Sequence, residues 1–298
     1  MVNSILQKVA RKMGYKLVPR TENTGEAQQK IFAAYGLQID PVKYAFCYKN
    51  YKLLLALQDK LAATIAFDKD GTLMLSFLGM RFSITAADEI FIIYEVFVKG
   101  TYNYSSSEDF MLVDIGMNVG TTCLYFSRME RCKEVVAFEP FEKTILAAKR
   151  NYHLNAEVAS KITIHGVGLG FPARTLEVKY AAQEKGSTGI HGVAEYVSNA
   201  GATETATLQI ADAYEALKPV IDNNTIKKVI KIDCEGAEYE ILRRLHQTGS
   251  ITAFDVYMIE WHLNGPEEIV GLLVSCGYHV HSVDEYEKHI GMVYAYKK

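Results

Sequence analysis

The sequence predicts an α/β fold: a doubly wound, mostly parallel sheet preceded by an extension of helices and a β-hairpin. Three observations carry this. Beyond residue 109 short apolar runs alternate with amphipathic stretches, as parallel strands and their crossover helices require. The first run, Leu112-Val113-Asp114-Ile115, breaks into Gly116-Met117-Asn118-Val119-Gly120. A helical pattern follows at once, with Val119, Cys123 and Phe126 spaced by four and three. The next run, Val135-Val136-Ala137-Phe138, closes on a second acid, Glu139.

The elements follow in order. Residues 2–13 read as a short basic amphipathic helix, with Ile5, Val9 and Met13 on one stripe and Lys8, Arg11 and Lys12 beside it. Such a helix either makes weak peripheral contact with an anionic membrane or packs on its own protein, and packing is favoured. Residues 21–29 are polar and loop-like, and 30–61 look helical. Runs at 62–67 and 72–77 flank Asp70-Gly71, a hairpin signal, and a helix over 86–98 leads into Gly100. Seven strands are expected near 110–115, 134–139, 161–167, 228–233, 254–260, 277–283 and 289–296. Helices are expected near 119–130, 141–154, 211–220, 237–247 and 266–275. A short polar stretch separates the last two strands, which suits an antiparallel hairpin at the sheet edge. Thr175–Tyr180 and Thr205–Ile210 read as an extra pair of β segments with a long Gly- and Ser-bearing loop between them.

A chain of 298 residues accommodates one large domain or two. Here 1–108 reads as an N-terminal extension packed on a main domain at 109–298, because no Pro/Ser-rich linker divides them. A net charge of −3 gives no electrostatic case for nucleic acid. Five cysteines without CxxC spacing suit reduced thiols rather than disulfides or zinc, and the expected location is the cytoplasm. The longest apolar stretch, near Ile90–Val98, is interrupted by Glu95 and too short to span a bilayer. The N-terminus lacks a signal-peptide core.

A strand end, a glycine turn and a helix start present backbone N–H groups to whatever lies over the sheet. An acid at the end of the second strand accepts from both hydroxyls of a ribose. The site is therefore read as nucleoside-binding. A dinucleotide turn needs glycine where this chain has Asn118, and the Gly-Lys-Ser/Thr of a P-loop is absent. S-adenosylmethionine carries adenosine without phosphate and suits Asp114, Gly116, Asn118 and Gly120, with Glu139 for the ribose. Asn118 tolerates the left-handed backbone, and its amide can meet the ligand's carboxylate. The bland alternative is that the two glycines only allow close helix–strand packing.

Three segments together resemble the FkbM-type S-adenosylmethionine-dependent methyltransferases. They are Val113–Gly120, then Val136-Ala137-Phe138-Glu139-Pro140 with Asn151 and Asn155 after it, and Ile230-Lys231-Ile232-Asp233-Cys234-Glu235-Gly236-Ala237-Glu238. Glu95-Val96-Phe97 with Tyr102 is a looser match, and Met117 departs from the family's usual small residue. The resemblance covers roughly residues 85–285 and implies the Rossmann-like class I methyltransferase sheet. It implies methylation of hydroxyls on sugars or glycosylated products, a surface-polysaccharide precursor among them.

Ligands of open α/β sheets lie beyond the carboxyl ends of the strands. Gly168, after strand three, is placed to meet the adenine edge, beside Pro140. Strand four offers Asp233 and Glu235, and strand five Glu260-Trp261-His262. His262 is the first candidate for general base, since imidazole titrates near neutral pH, with a structural histidine as the alternative. Glu235 or Glu260 serves if burial raises its pKa. Alternatively Asp233, Glu260 and His262 converge on a cation such as Mg²⁺, although hard cations favour all-oxygen sets. Glu238 sits in a helix's first turn, where the dipole alone explains it. The loop Gly186-Ser187-Thr188-Gly189-Ile190-His191-Gly192 is a lid or a mobile surface loop, and Trp261 stacks on sugar or fills core, with core favoured. Two other classes remain: a nicotinamide-dependent oxidoreductase or epimerase, weakened by Asn118 and a missing Tyr-x-x-x-Lys pair, and a non-catalytic nucleoside-binding protein. A nucleic-acid methyltransferase would often carry Asn/Asp-Pro-Pro-Tyr where this chain has Asp233-Cys234-Glu235-Gly236.

Overall fold

The computed structural model describes residues 24–183, 185–193, 203–287 and 290–297. The expected helix at 2–13 lies outside them. Three helices open the described chain: α1 (Thr24–Ala34), α2 (Ala45–Lys49) and α3 (Tyr51–Leu61). The sequence predicts one helix there, and the break has a local cause. Gly36 takes a φ of +73°. Pro41 disfavours helix at Asp40, whose carboxylate instead accepts from the N–H groups of Val42 and Lys43.

The hairpin around Asp70-Gly71 is present as β1 (Thr64–Phe67) and β2 (Leu73–Phe77). A third strand, β3 (Met80–Ile84), extends it through Leu78-Gly79. Both turn residues have positive φ, and leucine is not the residue such a turn advertises, so this third strand carries no turn signal in the sequence. Helix α4 (Ala87–Tyr94) then runs into a π-helical turn, Glu95–Lys99, stopped by Gly100 in the left-handed region.

The rest of the chain alternates as expected. It runs β4 (Phe110–Ile115), α5 (Thr121–Ser127), β5 (Cys132–Phe138), α6 (Glu142–Leu154), α7 (Ala156–Ala159), β6 (Ile162–His165), β7 (Gly168–Gly170) and β8 (Arg174–Ala181). It continues through β9 (Thr188–Gly189), β10 (Gly192–Val193), β11 (Thr203–Asp212), α8 (Ala213–Asp222), β12 (Lys227–Ile232) and α9 (Glu238–Gln247). It closes with β13 (Val256–His262), α10 (Glu267–Ser275), β14 (Tyr278–Glu287) and β15 (Ile290–Lys297).

Seven strands form the main sheet in the order β14-β15-β13-β12-β4-β5-β6. Only β15 runs against the other six, inserted between β13 and the rim strand β14. The chain leaves β4 towards β5 and β6, then crosses back to pair β12 with the other side of β4. The crevice above that reversal is where such sheets bind ligands. The extra β pair is β8 with β11, and β7 joins them in parallel, so strand three ends at His165 and Gly168 belongs to the smaller sheet. Trp261 is 3% exposed within the core cluster between the sheet and α8–α10, which settles it as core.

Asn151 and Asn155 bind the two parts of the fold together. Asn151 accepts from the Ser83 N–H and donates to the Val119 carbonyl. Asn155 accepts from the Arg81 N–H and donates to the Arg81 carbonyl, so α6 holds the edge of β3. Among the described residues no helix is long and apolar enough to cross a membrane.

Asn155→Ala would leave both backbone groups of Arg81 without their partner. The expected loss is about 1–3 kcal/mol in urea-induced unfolding, and an unchanged midpoint would refute the clamp.

Candidate active site

The turn after β4 has no room for larger residues. A Cβ on Gly116 would collide with the Asp233 carbonyl, and one on Gly120 would enter the Tyr152 ring. The packing reading of these glycines therefore holds. Gly116 and Met117 donate their N–H groups to the Phe138 carbonyl, tying the turn to β5. Asn118 adopts a φ of +52°, as its type allows. Its N–H donates to Glu139 Oε2 at 3.0 Å, and the Phe141 N–H donates to Oε1 at 3.1 Å. Burial raises the Glu139 pKa to about 7 against the opposing pull of these two N–H groups.

Beneath the turn lies a charge that the sequence reading passed over. Lys231 is 2% exposed and sits opposite Asp114 in the β12–β4 register. Its Nζ is 3.1 Å from Asp114 and 3.3 Å from Asp233, and it donates to the Gly116 carbonyl at 2.6 Å. It also stands 5.6 Å from the centre of the Tyr102 ring. Burial alone would lower its pKa, but Asp114 and Asp233 outweigh this and hold it above the usual lysine value. A lysine inside the buried run Val229-Ile230-Lys231-Ile232 was the available signal, since it requires a buried counter-charge. Asp114, expected to touch cofactor, instead lies behind the turn and does not line the cavity. It is paired with Lys231, and the Cys123 thiol donates to it at 3.1 Å. Gly120 likewise shapes the turn without lining the cavity.

Tyr102 bridges the ends of β12 and β13. Its hydroxyl is 3.0 Å from Asp233 Oδ2 and 3.1 Å from Glu260 Oε2. One hydroxyl proton cannot serve two carboxylate oxygens. Burial, then the charges of Asp233 and Glu95, push the Glu260 pKa far above the carboxylate range. Glu260 is therefore the protonated partner and donates to Tyr102, which donates to Asp233.

Glu238 does more than favour a helix dipole. Fully buried, it accepts from the N–H groups of Cys234 and Gly236 and from His262 Nδ1 at 3.0 Å. This stabilises the turn in which Glu235 takes a φ of +53°. His262 Nε2 is 3.6 Å from Glu235. Burial would lower the His262 pKa, but Glu238 and Glu235 raise it well above the ordinary value. The two ring nitrogens thus face Glu238 and Glu235, while Asp233 and Glu260 meet at Tyr102. The alternative Asp233–Glu260–His262 cation site is not formed. Among the described residues no group of three or more His, Cys, Asp or Glu is arranged to hold a metal ion.

These groups surround a cavity of about 310 Å³. Gly116, Asn118, Glu139, Pro140 and Gly168 line it. Asp233, Glu235, Glu260 and His262 line it as well. The extension adds a wall through α4 and Tyr102. The loop bearing Gly186 closes over it: Lys185 forms a 2.8 Å buried ion pair with Glu89, and the Gly186 N–H donates to Asp88. The loop thus covers the cavity rather than standing free on the surface.

A sequence model of the methyltransferase FkbM domain matches residues 114–280. The chain belongs to the FkbM methyltransferase family. It is 25% identical over 171 residues to Methyltransferase 1 of Beauveria bassiana, a match covering 52% of this chain and 66% of that protein, just under two thirds of its length. The crystal structure of methyltransferase FkbM from Methylobacillus flagellatus aligns with a TM-score of 0.46 at 14% identity, over 98% of this chain and 70% of that one. The M. jannaschii TYW2 complex with AdoMet aligns at 0.40 and 13%, over 78% and 87%.

In this FkbM methyltransferase, Lys231→Met strands Asp114 in the core. The expected loss is about 3–5 kcal/mol by urea unfolding, partly recovered by adding Asp114→Asn. An unaffected single variant would contradict the pairing.

Proposed function

We propose that the chain transfers a methyl group from S-adenosylmethionine to a hydroxyl of a sugar or glycosylated product. One observation carries the cofactor half of this reading: the Glu139 carboxylate stands at the tip of β5 in the cavity, beside a turn that carries Asn118 where a dinucleotide turn needs glycine. The buried oxygens Asn118 Oδ1 and Thr121 Oγ1 lack hydrogen-bond partners, and both residues line the cavity. Such acceptors suit an ammonium-bearing, phosphate-free ligand. Glu139 has lone pairs left for both ribose hydroxyls. Gly168 and Pro140 form an apolar floor suited to adenine. Asn118 and the carboxylate-rich wall leave a nicotinamide dinucleotide without support.

When bound, S-adenosylmethionine supplies an electrophilic methyl on a sulfonium, and the electron pair of the broken S–C bond stays on sulfur. The protein's own task is to place the acceptor oxygen in line and take its proton as the O–C bond forms. His262 is fixed by Glu238 through Nδ1, so Nε2, facing Glu235, is where a proton arrives or leaves. Glu238 and Glu235 favour the charged imidazole, which accepts only after releasing its proton. Glu235 is the adjacent carboxylate able to share it. Lys231 and Tyr102 fix Asp233 beneath the same region.

Two measurements follow. Accepting two ribose hydroxyls requires ionised Glu139, so S-adenosylhomocysteine affinity should fall as pH drops through about 7, by up to about tenfold per pH unit below it. Calorimetric titration should find that slope abolished in Glu139→Gln; an identical slope there, or no binding by the wild type, would refute the cofactor assignment. A base with a raised pKa is active only above it, so the transfer rate should climb with pH into the alkaline range and level off. Glu238→Gln should shift that rise to lower pH. A profile flat from neutral upwards would remove His262 from the proton path.

A further inference from the structure

The extension presents one stripe of side chains to the cavity: Asp88, Phe91, Ile92, Glu95 and Val96. Their spacing of three and four is a single helical face. Ile90 and Ile93, on the opposite face, are buried in the extension's own core. Phe91 is 40% exposed at the cavity mouth, and among the described residues no other ring packs against it. Trp261, the alternative stacking platform, is committed to the core.

The charges of the cavity wall are one-sided. Three cationic side chains line it, and each is matched from behind by a carboxylate outside the lining. Lys231 pairs with Asp114 at 3.1 Å, Lys185 with Glu89 at 2.8 Å, and His262 with Glu238 at 3.0 Å. The lining itself carries the acids Asp88, Glu95, Glu139, Asp233 and Glu235, of which Asp233 also shares Lys231 and Glu235 also faces His262, together with the protonated Glu260. Lys99, which lies outside the lining, is 3.3 Å from Glu95. The wall therefore accepts hydrogen bonds more than it donates them, and its field disfavours anions.

We infer that the acceptor is an uncharged glycoside whose ring lies on Phe91 and whose hydroxyls donate to the carboxylates of the α4 stripe, and that sugar phosphates and uronic acids are refused. This rests on the sugar methyltransferase reading and adds the charge of the ring and the residue that holds it. An apolar C–H face meets the aromatic ring, and hydroxyl donors meet the acids on either side of it. A nucleotide-linked sugar falls on the refused side.

The test uses the whole protein loaded with S-adenosylhomocysteine and a panel of aryl and alkyl glycosides, each paired with its uronide and its sugar 1-phosphate. Saturation-transfer NMR should detect binding of neutral members and at least about tenfold weaker binding of their charged counterparts. With S-adenosylmethionine and an accepted glycoside, Phe91→Ala should raise acceptor KM about tenfold more than it lowers kcat, with recovery in Phe91→Trp. S-adenosylhomocysteine affinity should stay within about twofold of wild type. Equal or tighter binding of charged members would overturn the inference. So would a Phe91→Ala effect confined to the cofactor product, which would make α4 a cofactor cover. Binding of S-adenosylhomocysteine without any glycoside would overturn it and leave the cofactor assignment standing; loss of both would overturn the two together.

Discussion

A lysine ammonium between two aspartates holds this site together. Lys231 lies where the order of the parallel sheet reverses, and it ties β4 to β12 by more than the ladder between them. The Asp114 carboxylate behind the turn, the Gly116 carbonyl within it and Asp233 beyond it all converge on one Nζ. Each partner alone is costly to bury, and together they offset that cost. The glycine turn is consequently fixed against Asp233, and Asp233 can in turn receive Tyr102. The ligand-facing geometry is set from below, by groups that mostly never meet the ligand.

The same arrangement recurs around the cavity. Glu238 behind His262 and Glu89 behind Lys185 play the part that Asp114 plays behind Lys231. In each case a carboxylate hidden in the wall satisfies a cation at its surface. Excess negative charge then remains towards the interior, and one consequence is already visible in the free protein. Burial, with Asp233 and Glu95 beside it, pushes the Glu260 carboxyl well above the usual carboxylate range, and Tyr102 supplies only one hydrogen. A carboxylic acid that donates and a histidine that is charged reverse the roles these residue types suggest in isolation.

Much of the main sheet was legible in the sequence because its signals are local. Uninterrupted apolar runs, glycine turns and a strict alternation of strand and helix place β4, β5, β12 and β13 closely. The misses share a different cause. The third strand of the small sheet turns through Leu78, which carries no turn signature, and Pro41 with Gly36 broke a helix that periodicity alone continued. Within the site, Glu139 and Asn118 could be read from the turn that contains them. Lys231 and Tyr102 could not be given roles, because their partners lie far off in the chain; Tyr102 meets Asp233 across 131 positions. Glu238 reads as a helix-dipole residue until His262, 24 positions on, is seen against it. Asp114 was misplaced for the related reason that a strand-end acid looks alike whether it faces a ligand or a buried lysine. The charge state of His262 is likewise invisible until Glu238 and Glu235 are seen on either side of it.

The two asparagines of α6 have a wider meaning. By gripping the Arg81 N–H and carbonyl and the Ser83 N–H along the edge of β3 they fix where α4 rests over the crevice, yet they recognise only main-chain atoms there. The docking surface is thus indifferent to which side chains the docked piece carries. Substitutions along α4 can recontour the entrance without disturbing its mounting, so the mouth of this cavity is free to diversify while the sheet beneath it stays as it is.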